Sequence, residues 1–198
     1  MFGPRPVCHW RLPRADCGGT IAVMDAAQDP IVAQLGTVIR TQGIAARLHD
    51  SVQRVQQRLR ESDGPMAWEI VPLDVFGGAL PEIVRSCWIF VIRPAAATGA
   101  ERHPNSHQRS CSLLGGGTFE LNDGTVWRPH ALTGGTGGEV GQHWVSIPPS
   151  TWHRLRVGSA AWGMVSFHTV AAEDLIEENP RDPDRLDGLM QRRRYADR

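Results

Sequence analysis

The sequence predicts a mainly β protein: a jelly-roll β-barrel with an N-terminal helical extension and C-terminal helices. Three observations carry this. Short apolar segments, separated by turn residues and with no helices between them, fill the middle of the chain, a pattern that indicates a sandwich or barrel. Before them, apolar residues recur at helical spacing. After them, the composition turns helical again. A chain of 198 residues suits one domain with appended segments.

Taken in order, residues 1–29 are rich in proline, glycine and charge and read as an arm or loop. From Ile31 to about Arg60, Ile31, Leu35, Val38, Ala45, Leu48, Val52, Val55 and Leu59 form an amphipathic stripe. Pro30 suits a first helical position behind an Asp29 N-cap. Gly36 and Gly43 weaken the first half, so a break is expected near Thr41–Gly43. The stripe is expected to pack on the barrel or on a dimer partner. After Ser62-Asp-Gly-Pro65 the expected strands are Ala67–Val71, Trp88–Arg93, Ser110–Leu114, Thr118–Leu121, Val126–Arg128, His143–Ile147, His153–Val157 and Met164–Thr169. Asn122-Asp123-Gly124 is a hairpin signal, and Gly134–Gly138 a flexible loop. Helices are expected over Ala171–Glu178 and Asp184–Arg194. The domain plan is thus an extension over 1–65, a barrel over 66–170 and a tail over 171–198.

The segment Gly141-Gln-His-Trp-Val-Ser-Ile-Pro-Pro-Ser-Thr-Trp-His153 runs an apolar strand into a Pro-Pro turn and opens the next strand with a histidine. Such an imidazole points into the mouth of a small barrel, where ligand and metal sites occur. Pro148, Ser150 and His153 resemble the second motif of the cupins, with serine where that family usually has glycine. The first cupin motif has two histidines separated by one residue, then a glutamate, then a glycine. Ser112-Leu-Leu-Gly-Gly116 is similar to its closing strand and turn. Counting back from Gly116 puts His103 and Asn105 at the histidine places and Arg109 at the glutamate place, a partial match. The resemblance covers about residues 66–170.

A cupin site implies a divalent transition metal. His103, His107 and His153 would supply imidazoles and Glu101 a carboxylate. On an ideal strand, residues 101, 103, 105 and 107 face one way, although a bulge near Pro104 would spoil that register. Neutral imidazole suits iron, manganese, nickel, copper or zinc, with iron(II) favoured here. Arg109 or Gln108 would orient a polar substrate group, and His143 and His168 are candidates for proton carriers or orienting groups. Trp88, Trp127, Trp144, Trp152 and Trp162 read as core and wall. Without metal, Arg109, Gln108, Asn105 and His153 would instead bind a ligand by hydrogen bonds.

The resemblance therefore implies a metal-dependent enzyme acting on a small organic molecule, foremost an iron(II) oxygenase. The alternatives are an isomerase, cyclase or lyase on the same site, or a metal-free binding module. No phosphate-binding loop and no Gly-x-Ser-x-Gly elbow occurs. Basic and acidic side chains number 21 each, so no global field attracts nucleic acid or an anionic membrane. No apolar run of about 18 residues or more is present, and the start lacks a signal-peptide core. A cytoplasmic homodimer is expected. Cys8, Cys17, Cys87 and Cys111 form no Cys-x-x-Cys pair and are expected to be reduced. Cys8, His9 and Cys17 are a weak zinc candidate lacking an evident fourth ligand.

Overall fold

A computed structural model describes residues 25–135, 139–182 and 185–197. Helix α1 spans Pro30–Ile39 behind an Asp29 N-cap whose carboxylate accepts from the Ile31 N–H at 2.9 Å. The chain breaks at Arg40–Thr41, and α2 runs over Gln42–Arg60. The start, the break and the stripe follow the sequence expectation.

Ten strands follow: β1 Met66–Ile70, β2 Ser86–Ile92, β3 Gln108–Leu114, β4 Gly116–Asn122, β5 Trp127–Thr133, β6 Trp144–Ile147, β7 His153–Val157, β8 Trp162–His168, β9 Ile176–Pro180 and β10 Met190–Arg194. They form a five-stranded sheet in the order β1-β2-β8-β3-β6, a three-stranded sheet β5-β4-β7 and the pair β9-β10. Every pairing is antiparallel. The molecule is mainly β, consistent with a cupin jelly roll.

Two apolar layers result, one on each face of the larger sheet. Between the sheets lie Trp88, Phe90, Ile92, Phe119, Leu121, Leu155, Trp162 and Met164. On the other face, Cys87, Ile89, Val91, Val165 and Phe167 meet Leu35, Leu48, Val52, Val55 and Leu59 of the helices. All of β2 is buried, which is why Cys-Trp-Ile-Phe-Val-Ile reads as a continuous apolar run rather than an alternation. The helical stripe thus covers the outer face of a sheet whose inner face builds the site.

The chain after β8 departs from expectation. Instead of helices over Ala171–Glu178 and Asp184–Arg194, a single 3-10 turn at Ala172–Asp174 leads into the antiparallel β9-β10 pair. Tertiary contacts outweigh local propensity here. Glu177 is fully buried and pairs with Arg193 at 3.1 Å, and Arg102 both bridges to the Glu178 backbone and holds its carboxylate at 2.7 Å. Tyr195 packs against Trp68, Trp88 and Phe90 with ring centroids 5.2–6.1 Å apart. A helix over 171–178 would forfeit these pairs. Among the described residues no helix is long and apolar enough to cross a membrane.

Candidate metal centre

Three donors converge at one end of the inter-sheet space: ligand atoms of Glu101, His103 and His153 all lie within 4.8 Å of one another. His153 opens β7 and is 1% exposed, and His103 is 4% exposed. Glu101 reaches the same point through an isolated antiparallel bridge to His153. This is a two-histidine, one-carboxylate donor set, the arrangement found at non-haem iron(II) oxygenase centres.

The backbone around the imidazoles fixes their tautomers. His103 Nδ1 lies 2.9 Å from the Ile176 carbonyl, and His153 Nδ1 lies 3.1 Å from the Thr151 carbonyl. A carbonyl only accepts, so each Nδ1 carries the proton and each Nε2 carries the lone pair a metal requires. His153 Nε2 is buried without a hydrogen-bond partner, and so is Gln108 Oε1. Orphaned buried acceptors are rare in folded proteins. His153 Nε2 lies in the donor cluster with Glu101 and His103, and Gln108 lines one cavity with those two residues, so this donor chemistry fits a divalent metal.

His168 completes the polar lining. In the sheet register Ser86, His168 and Gln108 stand side by side on β2, β8 and β3. The His168 ring is 5.3 Å from that of His103, and its Nδ1 is 3.2 Å from Ser106 Oγ. Burial, followed by the two neighbouring histidines, holds its pKa well below the usual imidazole value, against a smaller opposing pull from Glu101. It is therefore neutral at physiological pH and able to donate or accept one hydrogen bond.

His107 and Arg109 are not brought to this cluster. Pro104-Asn105 forms a turn, so strict alternation from residue 101 does not survive into β3. The side chains of Gln108, Ser110 and Ser112 join the inner polar network, in which Gln108 donates to Ser110, Ser110 meets Ser166, and Trp162 donates to Ser112. Arg109 instead donates to Asp29 at 2.7 Å, and His107 Nε2 lies 2.8 Å from Ser146 Oγ, which donates to the same Asp29 carboxylate. Gly115, not Gly116, takes the left-handed turn (φ 68°), where a Cβ would lie 2.1 Å from the Ala161 carbonyl oxygen. The same spacing counted back from Gly115 puts Gln108 at the glutamate place but Arg102 and Pro104 at the two histidine places, so the match stays partial.

Ser150 adopts φ 65°, the left-handed region that glycine enters without cost. Its N–H donates to the His103 carbonyl at 3.0 Å, tying the Pro-Pro turn to the first-motif strand. His143 lies away from the cluster, its Nδ1 donating to the Thr133 carbonyl at 2.7 Å. Asn105 does not line the site but clamps the lead into β9, donating to the Asp174 carbonyl and accepting from the Ile176 N–H. Tyr195, which sequence reasoning missed, packs its ring 5.7 Å from His103. No local signal marks it, because its partners are distant in sequence. The Cys8, His9 and Cys17 group, and residues 136–138 of the glycine loop, lie outside the described residues.

No family model matches the chain, and no curated protein is similar to it in sequence. Similar solved structures include an oxalate decarboxylase from Lactobacillus farciminis in a formate complex, 17% identical over 55% of this chain and 30% of that one, with TM-score 0.43. An oxalate oxidase bound to the substrate analogue glycolate is 15% identical over 55% of this chain and 53% of that one, with TM-score 0.42. The coconut allergen cocosin is 15% identical over 60% and 29%, with TM-score 0.46. These are cupin-fold proteins, and this chain spans between 29% and 53% of their lengths.

Proposed function

We propose that the protein is a metal-dependent cupin enzyme that acts on a small organic molecule, foremost as an iron(II) oxygenase. The observation that carries this reading is the meeting of Glu101, His103 and His153, with both imidazoles locked as Nε2 donors. These three residues would hold the metal, and iron(II) bound there would supply open positions for dioxygen and substrate. Manganese, nickel, copper or zinc on the same donors would suit an isomerase, cyclase or lyase.

The remaining residues define what the site accepts. Gln108 Oε1 takes a hydrogen bond from substrate or water, and neutral His168 holds or passes a proton through Ser106. The walls are Phe90, Ile92, Phe119, Leu155 and Met164, and no arginine or lysine joins them among the described residues. A multiply charged acid would lack a counter-ion there, which favours a small, weakly polar substrate. The free space is about 20 Å³, room for about one water. A substrate larger than water therefore requires side chains of this lining to move. The reading also carries forward the expected cytoplasmic homodimer, with no nucleic-acid or membrane partner.

The test is elemental analysis of wild type and His153→Ala, both purified without a chelating tag. About one transition metal per chain, lost in the variant, supports the reading and calls for oxygen-consumption screens on small neutral substrates. No metal in either protein, even after reconstitution with iron(II), manganese, nickel and zinc, sinks it. That outcome would favour a metal-free binding module, in which Glu101 and His153, 3.4 Å apart, would bind a ligand by hydrogen bonds.

A further inference from the structure

On the opposite face of β3 from the metal centre, α1 and α2 do not close fully over the sheet. They leave a cavity of about 700 Å³, within the roughly 300–1,000 Å³ typical of small-molecule pockets. Its body is apolar, walled by Val32, Ile39, Leu48 and Val52, with Cys111 beneath. Burial pushes the Cys111 thiol up to about 12, against the pull of the nearby Arg40 charge, so the floor is neutral.

Among the described residues its polar lining is Arg40, His49, Gln53, Gln56, His143 and Trp144, with Arg40 the one arginine among them. Arg40, which caps the C-terminus of α1, folds back over Gly36, and the Trp144 indole N–H reaches the same spot from β6. A Cβ at Gly36 would lie 3.5 Å from Arg40 Nη2 and 3.8 Å from Trp144 Nε1, so the absent side chain opens a corner between the two donors. Trp144 is 5% exposed, yet neither its indole N–H nor the Arg40 guanidinium meets an acceptor among the described residues. Arg40 is exposed at the edge of the cavity, so an anionic acceptor in the corner would gain charge-assisted hydrogen bonds without displacing an existing partner. No aspartate or glutamate is among the described residues lining the cavity. One guanidinium and one N–H match a monoanion, whereas a phosphate dianion would call for more cations.

We propose that this cavity is a second ligand site, distinct from the metal centre, for a monocarboxylate with an apolar chain. Its carboxylate accepts from Arg40 and Trp144, and its chain lies along Val32, Leu48 and Val52. The proposal does not rest on the metal reading, because the two compartments lie on opposite faces of β3.

The test is calorimetric titration of the full chain with decanoate and, in parallel, with decanol. Wild type is expected to bind one decanoate per chain. Affinity is expected to be at least tenfold weaker for decanol, and at least tenfold weaker for decanoate with Arg40→Gln or Trp144→Phe. His153→Ala is expected to leave decanoate binding unchanged, which separates this site from the metal centre. Absence of decanoate binding would overturn the proposal. So would equal binding of decanol, or loss of binding in His153→Ala. Sedimentation showing that decanoate dissociates a dimer would also overturn it, by assigning the cavity to a second copy of the chain.

Discussion

Glu101 and His153 exchange both backbone hydrogen bonds across one antiparallel bridge, at 2.9 and 2.8 Å, while Glu101 Oε1 lies 3.4 Å from His153 Nε2. Two segments about fifty residues apart in sequence thereby present a carboxylate and an imidazole to one point with no flexible link between them. Preorganisation of this kind lowers the ordering cost of ligation.

Glu101→Gln should keep the fold, because both backbone bonds of the bridge survive. Metal affinity should fall by at least tenfold once the anionic ligand is gone. Metal content after dialysis against a weak chelator, beside an unchanged circular dichroism spectrum, checks this. Wild-type retention of metal in the variant would remove Glu101 from the ligand set.

The Asp29–Arg109 pair is buried, with side chains 1% and 6% exposed. Asp29→Ala leaves a guanidinium in an apolar layer and should destabilise the protein by about 3–5 kcal/mol, without loss of metal from protein that remains folded. Denaturant unfolding with metal analysis of the folded fraction separates the two effects. Asp29→Ala together with Arg109→Leu should recover a large part of the loss, since no charge is then stranded.

His107 gives the protein an acid-sensitive step. Burial, then the Arg109 charge, lowers its pKa to about 4, against the opposing pull of Asp29. The folded imidazole therefore stays neutral where the unfolded one, near 6.5, takes a proton. Stability is unaffected well above pH 6.5 and falls as pH drops from about 6.5 towards 4, by up to about 3 kcal/mol from this residue. Asp29 acts lower down. Burial would raise its pKa, but the bonds from Arg109 and Ser146 outweigh that and hold it below the usual carboxylate value, so its contribution is lost only as pH falls below about 3.8. Unfolding midpoints across pH 4–7 should show a shallower slope in His107→Gln, and an identical slope would contradict this account.

Ser150 carries strain, at φ 65°, that a glycine would avoid. Relief of a left-handed non-glycine conformation is worth about 1–2 kcal/mol, partly offset by the greater freedom of unfolded glycine. Ser150→Gly should therefore raise the unfolding midpoint slightly, while Ser150→Val should lower it. Thermal unfolding of both variants decides the matter, and a drop with glycine would show that the serine hydroxyl matters more than the strain.

What the sequence disclosed depended on how local each signal is. The Asp29-Pro30 helix start, the break near Thr41 and the Asn122-Asp123-Gly124 turn are encoded within a few residues, and the structure has them where expected. His103, His153 and Glu101 could be picked out because each sits beside a recognisable strand or turn. His107 and Arg109 could not be placed, because their direction depends on the Pro104-Asn105 turn, and a single-residue shift exchanges the two faces of a strand. The β9-β10 pair was hidden for a related reason. Its stabilising partners, Arg102 for Glu178 and Trp88 for Tyr195, lie far away in the chain, while Ala-Ala-Glu-Asp-Leu reads locally as helix.

The N-cap carboxylate of α1 is also the anchor for Arg109 on β3 and Ser146 on β6. One oxygen pair starts a helix and staples it to the middle of the sheet. The helical hairpin is therefore not a detachable module. Excising residues before Pro65 to obtain a minimal barrel would strand a cation on a bare apolar wall, and a shortened chain of that kind should come out of expression as aggregate. The helices and the sheet should melt in a single transition, so swapping this extension onto another barrel would require moving Arg109 and Ser146 with it.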